Sequence, residues 1–189
     1  SAVDSVYEYA ATKPDHVVFR RLVNGSWVDV TAREFAEQVT AVAKGLVARG
    51  VQPGDRVALM SATRYEWQLI DYAIWSAGGV TVPIYETSSA EQVKWILEDS
   101  GAIGLVVETD QHSKTVAEVA EAAPDLRAVL QIEPSGADAG AVEVLTTQGA
   151  EVSDDEIRAR RAALKASDPA TLIYTSGTTG RPKGCQLTH

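Results

Sequence analysis

Apolar residues recur along this chain in two alternating rhythms. Short, nearly uninterrupted β-rich runs occupy 56–60, 80–84, 103–107, 128–132 and 171–174. Between several of them lie longer stretches with helical spacing. The clearest runs through Phe35, Val39, Val42, Leu46 and Val47 to Gly50, behind Thr31-Ala-Arg-Glu34. A hydroxyl residue followed three positions later by a glutamate marks a helix start, because each side chain satisfies the other's free backbone N–H. The same signature recurs at Thr63–Glu66, Ser88–Glu91 and Ser153–Glu156. Strands without polar alternation are buried on both faces, so capped helices alternating with such strands predict an α/β fold. The expected architecture is a largely parallel sheet flanked by helices. Asn24-Gly25 joins 17–22 to 27–30 and predicts a small antiparallel hairpin near the N-terminus. The stretch 133–149, with Pro134 and several glycines, is expected to be a surface loop with room for a short strand at 142–145. The capped helix at Ser153 then leads back to the strand at 171–174, so one domain is expected rather than two.

Composition narrows the function classes. The chain has 189 residues, 45% of them hydrophobic, enough to bury one ordinary core. A net charge of −9 argues against nucleic acid as a partner and against a charge-based membrane anchor. No apolar run has the length of a membrane-spanning helix. Peripheral membrane contact stays open, and nothing in the pattern specifies an oligomer. Cys185 is the sole cysteine, which excludes an internal disulfide and fits a reducing cytoplasm.

The chemistry concentrates at the end of the chain. The strand at 171–174 runs into Thr175-Ser-Gly-Thr-Thr-Gly-Arg-Pro-Lys-Gly184. Gly177, Gly180 and Gly184 permit positive φ and let backbone N–H groups approach an anion closely. Thr175, Ser176, Thr178 and Thr179 supply rotatable O–H donors. Lys183 adds a mobile point charge, Arg181 a planar fork of donors, and Pro182 stiffens the backbone beside the lysine. No acidic residue follows Asp168, although the chain as a whole is acidic. A phosphate-binding loop over 174–184 is therefore expected. It is not a Walker A loop, which needs four residues between its first glycine and Gly-Lys-Ser/Thr. A polar turn that merely happens to hold glycines is the bland alternative, and it does not explain four hydroxyls and two cations in one loop.

Tyr174-Thr-Ser-Gly-Thr-Thr-Gly-Arg-Pro-Lys-Gly184 closely resembles the phosphate-binding signature of the adenylate-forming (acyl-CoA synthetase) superfamily. The resemblance covers nearly the whole chain. It includes Trp27-Val-Asp-Val-Thr31, Gly54-Asp-Arg-Val-Ala58, Ala77-Gly-Gly-Val-Thr-Val-Pro-Ile-Tyr85, Ser88-Ser-Ala-Glu-Gln92 and Ile96-Leu-Glu-Asp-Ser-Gly101. Pro83 to Ser89 is similar to the branch of bacterial long-chain fatty acid–CoA ligases. The resemblance implies a two-step reaction. A fatty carboxylate attacks ATP, with Mg²⁺ offsetting phosphate charge, and coenzyme A then displaces AMP from the acyl-adenylate. It also implies that Thr175, Ser176, Gly177, Thr178, Thr179, Gly180 and Lys183 hold the β- and γ-phosphates. No catalytic acid, base or protein metal ligand is expected in this chain. In such enzymes the rest of the site lies after this motif. The chain is thus expected to be the N-terminal portion of the AMP-binding domain (1–189), without the C-terminal domain and inactive alone. Two alternatives stand: an acyl-AMP ligase or other adenylate former that loads a carrier protein, and a non-enzymatic module with a remnant loop.

Other candidates favour structural readings. Tyr65, Trp67, Tyr72 and Trp75 crowd one helix; an acyl-tunnel wall is conceivable, but core is the expectation, and Trp95 is read the same way. His16 and His112 have no partner at ligand spacing. His189 is read as family-like but compatible with a frayed end. Asp154, Asp155 and Glu156 suit the positive end of a helix better than a metal. Cys185 lacks the neighbours of a nucleophile.

Overall fold

The computed structural model describes residues 1–175 and 181–189. Helix α1 (Asp4–Thr12) precedes the hairpin β1 (Val17–Val23) and β2 (Ser26–Thr31) and the long helix α2 (Ala32–Ala48). There follow β3 (Arg56–Met60), α3 (Tyr65–Ser76), β4 (Val80–Ile84), α4 (Ala90–Ser100), β5 (Gly104–Thr109), α5 (Asp110–Ala117) and β6 (Ala128–Glu133). Helices α6 (Ala141–Gln148) and α7 (Asp154–Ala163) lead to β7 (Pro169–Thr175) and β8 (Lys183–Thr188).

Six strands form one sheet in the order β6-β5-β3-β4-β7-β8. All neighbours run parallel except β8, which is antiparallel to β7. The absence of polar alternation in the strands has a direct cause. Along β3, Val57 and Leu59 enter one core with Val39, Leu46, Ile70, Ile74, Leu145 and Ile157 from α2, α3, α6 and α7. Ala58 and Met60 point the other way, to Val93 and Leu97 of α4 and Val116 of α5. Successive side chains face opposite sides of the sheet, and here both sides are covered. The expected α/β architecture is the one observed.

Local signals are realised with small shifts. Asn24 (φ 49°) and Gly25 (φ 78°) both take the left-handed conformation that a two-residue hairpin turn requires. Thr31 and Glu34 form the full reciprocal cap of α2. In α4 the cap is Ser89 with Gln92, one residue later than the Ser88–Glu91 signature. Helix α3 starts after Arg64 without a side-chain cap, because the Glu66 carboxylate is bonded to Arg64 and Arg21 instead. Ser153 caps α7 through the Glu156 amide, while the Glu156 carboxylate turns to Arg160.

The stretch 133–149 corrects the sequence reading. Its second half is helix α6, not a loop, and 142–145 is not a strand. Ala141 and Leu145, four apart, are both buried. A Cβ at Gly45 of α2 would lie 2.1 Å from the Leu145 carbonyl oxygen, so α2 and α6 touch backbone to backbone. Burial against α2 outweighs the mediocre helix propensity of Val and Thr in this segment. Strand β8 was not foreseen either. Among the described residues, no helix is long and apolar enough to cross a membrane.

Candidate functional site

In a sheet of parallel strands, backbone dipoles, loops and ligands gather at the carboxyl ends. Here β4 and β7 lie side by side, with Thr81 opposite Thr171. Strand β7 delivers Thr175 to that edge, and β8 begins at Lys183, directly opposite Thr175 in the antiparallel register. Both side chains are exposed. The structure therefore brings together Thr175 and Lys183 from the anticipated set. Ser176, Gly177, Thr178, Thr179 and Gly180 lie outside the described residues. The stretch expected as a loop over 174–184 begins and ends in strand.

The flanks of this segment are tied to α4. Tyr174, which is 6% exposed, donates its hydroxyl to Asp99 Oδ2 at 2.6 Å. Burial, and then this bond, hold the phenol well above its ordinary pKa. Gly184 faces Tyr174 across the strand pair. A Cβ there would meet Leu172 Cδ1 at 2.9 Å and Tyr174 Cζ at 3.2 Å. Gly184 is thus needed for the space above the tyrosine ring; its φ is not positive, so the freedom that glycine permits is not used here. On the other flank, Trp95 Nε1 donates to the Pro182 carbonyl at 2.9 Å. The Arg181 guanidinium lies over the Trp95 ring, 4.6 Å from its centroid. It shares a niche with Glu91 and Glu98. Arg181 is therefore engaged with α4 rather than extended as a fork of donors beside Lys183.

Sequence reasoning missed this role for Trp95 and Asp99. A half-buried tryptophan needs an acceptor for its N–H, and Asp99 follows Trp95 by one helical turn; those two facts were the available signal. Three of the four aromatic residues of α3 pack on the core, as expected: Tyr65, Trp67 and Tyr72 lie against it. Burial pushes the Tyr65 phenol up to about 12. Trp75 donates to the Ala170 carbonyl at 2.7 Å, and His189 sets its ring edge-on to Trp75, with its amide bonded to Asp168 O at 3.1 Å. Burial depresses the His189 pKa. His112 belongs to the start of α5, where it bonds the Thr109 amide and hydroxyl. Asp154 pairs with Lys44 and Asp155 with Arg158, as first-turn carboxylates do.

The other half of the carboxyl edge, beyond β3, is closed by charge pairing. Arg64 bonds Glu66 at 2.7 Å, Glu108 at 3.2 Å and Glu133 at 2.6 Å. Burial opposes its charge, but these carboxylates outweigh burial and raise its pKa. Burial likewise opposes the Glu108 charge; the Ala62 amide and Arg64 overcome it and lower its pKa. A cleft of about 870 Å³ opens beside Arg64, under the hairpin. Its cations Arg20, Arg21 and Arg64 are each bonded to carboxylates already. Away from this edge, beside Thr81 near the start of β4, Asp71 of α3 is 6% exposed, and burial raises its pKa to about 6 despite that hydroxyl.

Comparison with known proteins bears on the same residues. The family described as AMP-binding enzyme matches residues 6–189. A long-chain-fatty-acid–CoA ligase of Mycobacterium bovis is 58% identical over 183 residues, covering 97% of this chain and 30% of its own length. A ligase of the same description from Mycobacterium tuberculosis is 57% identical over the same extent. The chain thus spans about 30% of the length of these curated relatives. Among solved structures, apo MbtA of Mycobacterium smegmatis superposes with a TM-score of 0.82 at 28% identity, over 99% of this chain and 33% of that one. A long-chain-fatty-acid–CoA ligase of Archaeoglobus fulgidus gives 0.78 at 24%, over 100% and 36%, a likeness of fold.

Proposed function

Since the chain belongs to the AMP-binding enzyme family, we propose that the whole protein activates a long-chain fatty acid with ATP and passes the acyl group to coenzyme A. The observation that carries this reading is the 58% identity to the Mycobacterium bovis ligase over 97% of the chain. It is supported by Thr175 and Lys183 facing each other at the carboxyl edge of the sheet.

In the first step the fatty carboxylate oxygen attacks the α-phosphorus, and the bond to the β-phosphate bridging oxygen breaks, releasing pyrophosphate. Charge accumulates on the departing β- and γ-phosphates. Thr175 donates its O–H, and Lys183 its N–H groups, to those oxygens; positioned donors of this kind act most strongly where charge develops. Ser176, Gly177, Thr178, Thr179 and Gly180 are proposed to complete the cradle. In the second step the thiolate of coenzyme A attacks the acyl carbonyl and AMP leaves. Among the described residues, no cluster of three or more His, Cys, Asp or Glu could hold a metal. The hydroxyl-and-lysine donor set suits phosphate oxygens, so Mg²⁺ is taken to enter with the triphosphate. The 189 residues are proposed to supply the phosphate clamp of a longer, cytoplasmic enzyme and to be inactive by themselves.

The test is carboxylate-dependent ATP–pyrophosphate exchange by the protein produced from its whole reading frame, across a chain-length series of fatty acids. Exchange greatest with long chains, followed by acyl-CoA formation, is expected. Exchange without transfer to coenzyme A, but with transfer to a phosphopantetheinyl carrier, overturns the acceptor. No exchange with any fatty acid overturns the activity.

A further inference from the structure

Helix α4 touches both flanks of the phosphate-binding segment through two residues one turn apart. Asp99 holds Tyr174, the residue before Thr175, by a 2.6 Å hydrogen bond. Trp95 holds Pro182, the residue before Lys183, by a 2.9 Å hydrogen bond to its carbonyl, and stacks under Arg181. Positions four apart lie on one face of a helix, so a single rigid surface addresses both flanks. Thr175 and Lys183 are cross-strand partners, so fixing both neighbours fixes the geometry of the pair.

The helix is well anchored for that task. Its first turn is closed by the reciprocal Ser89–Gln92 cap. Its last turn ends in left-handed Gly101, and Arg56 of β3 donates to the Ser100 carbonyl at 2.7 Å and the Gly101 carbonyl at 3.3 Å. A cation at a helix C-terminus satisfies free carbonyls and opposes the dipole. Its inner face, Val93, Ile96 and Leu97, is buried against the sheet. A bond from such a helix transmits the position of the sheet to the residue it holds.

We propose that Trp95 and Asp99 are positioning residues for adenylate formation, setting Lys183 and Thr175 toward the triphosphate without touching the substrate themselves. The proposal rests on the functional reading above. Lys183 is exposed on an edge strand with no buried side chain (Lys183–Thr188). Its backbone is placed by the pairing of β8 with β7 and, just before the strand begins, by the bond at Pro182. A long side chain reaching an anion amplifies small shifts at its root, and a misplacement on the order of 1 Å can cost about a hundredfold in rate. Tyr174 performs the matching task from β7, and Gly184 leaves room for its ring.

The experiment uses Trp95→Ala, Trp95→Phe and Asp99→Asn in the whole protein, measuring ATP–pyrophosphate exchange with separate KM values for ATP and fatty acid. Trp95→Ala is expected to raise KM for ATP about tenfold, the scale of one lost hydrogen bond with its cation–π contact. KM for the fatty acid is expected to stay unchanged. Trp95→Phe keeps the ring for Arg181 but loses the N–H, and about a threefold rise is expected; it also carries the test should the alanine variant fail to fold. Asp99→Asn is expected to act in the same direction as Trp95→Phe. In a Lys183→Ala background, Trp95→Ala is expected to add nothing further, because it acts through the lysine. Equal changes in both KM values, full additivity with Lys183→Ala, or a loss of thermal stability alone overturns the proposal. Hydrogen exchange of the segment 181–188, faster in Trp95→Ala than in the parent protein, reads the clamp independently of activity. Exchange unchanged there overturns the clamp even if no substrate is turned over, whereas an inactive parent with a Trp95-dependent segment overturns only the functional reading.

Discussion

The carboxyl edge of the sheet is built in two halves that treat positive charge in opposite ways. On the β3–β5–β6 side, Arg64 is surrounded by Glu66, Glu108 and Glu133, and Arg21 shares Glu66. On the β4–β7–β8 side, Lys183 stands exposed opposite Thr175, in a segment of chain with no acidic residue after Asp168. One half completes its own electrostatics and ties α3, β5 and β6 together. The other leaves a lysine and hydroxyls where an external anion can supply the missing charge. An arginine in a cleft is therefore poor evidence of a binding site when carboxylates already neutralise it. The large cleft beside Arg64 illustrates this, since its arginines Arg20, Arg21 and Arg64 are all paired already.

The difference is sharpest if each cation is removed in turn. Lys183→Ala is expected to lower adenylate formation by the whole protein by roughly a hundredfold to a thousandfold, the range for a lost transition-state donor. Its unfolding midpoint in urea should not move. Arg64→Met should give the mirror image. Leaving the partly buried Glu108 without its cation, and Glu66 with Arg21 alone, is expected to cost about 3 kcal/mol of stability in urea unfolding. KM for ATP in the surviving folded fraction should match that of the parent. A stability loss on Lys183→Ala, or a selective rise in KM for ATP on Arg64→Met, would merge the two halves into one network.

Asp71, near the start of β4 rather than at the carboxyl edge, sharpens the comparison, because it is a buried carboxyl with a hydroxyl neighbour, Thr81, and no ion-pair partner among the described residues. Its folded pKa of about 6 lies above the ordinary 3.8, so the native state binds the proton more tightly than the unfolded chain. Its contribution therefore favours folding below about pH 4, declines between pH 4 and 6, and is unfavourable and constant above. Asp71→Asn abolishes that decline. The stability difference between variant and parent is expected to shift in favour of the variant by up to about 3 kcal/mol from pH 4 to pH 7, at 1.36 kcal/mol per pKa unit. Urea titrations at the two pH values check this, and an unchanged difference would mean that solvent reaches Asp71 freely.

The sheet was legible in the sequence because its strands are buried on both faces, leaving short apolar runs such as 56–60 and 80–84 with sharp ends. The hairpin was legible because Asn24 and Gly25 tolerate positive φ. Helix α6 was not, since its cause is a tertiary contact: Gly45 on another helix lets Leu145 approach backbone to backbone. Strand β8 was hidden for the opposite reason. It buries nothing, so it leaves no hydrophobic period to read, and only pairing with β7 defines it. At the candidate site, residue types suggested a phosphate segment, but the residues packed around it did not announce themselves. Trp95 reads as core from its spacing, and its indole N–H bond to Pro182 depends on a chain reversal 87 residues away. Gly184 was anticipated as a conformational glycine, whereas its value lies in the ring packed against it.

The smallest expected effect isolates burial as the variable. Arg20 and Asp29 on the hairpin meet at 2.8 Å, a distance like those around Arg64. Their side chains are 68% and 50% exposed, against 24% for Arg64. Water and salt screen such a pair, and ordering two long side chains offsets most of the attraction. Arg20→Ala is therefore expected to change stability by less than about 0.5 kcal/mol in urea unfolding, and 1 M salt should erase even that. The Arg64 network, being partly withdrawn from solvent, should keep most of its contribution under the same salt. If Arg20→Ala cost as much as Arg64→Met, distance alone would govern these pairs. The contrast between a self-neutralised half and an open half would then have to rest on something other than burial.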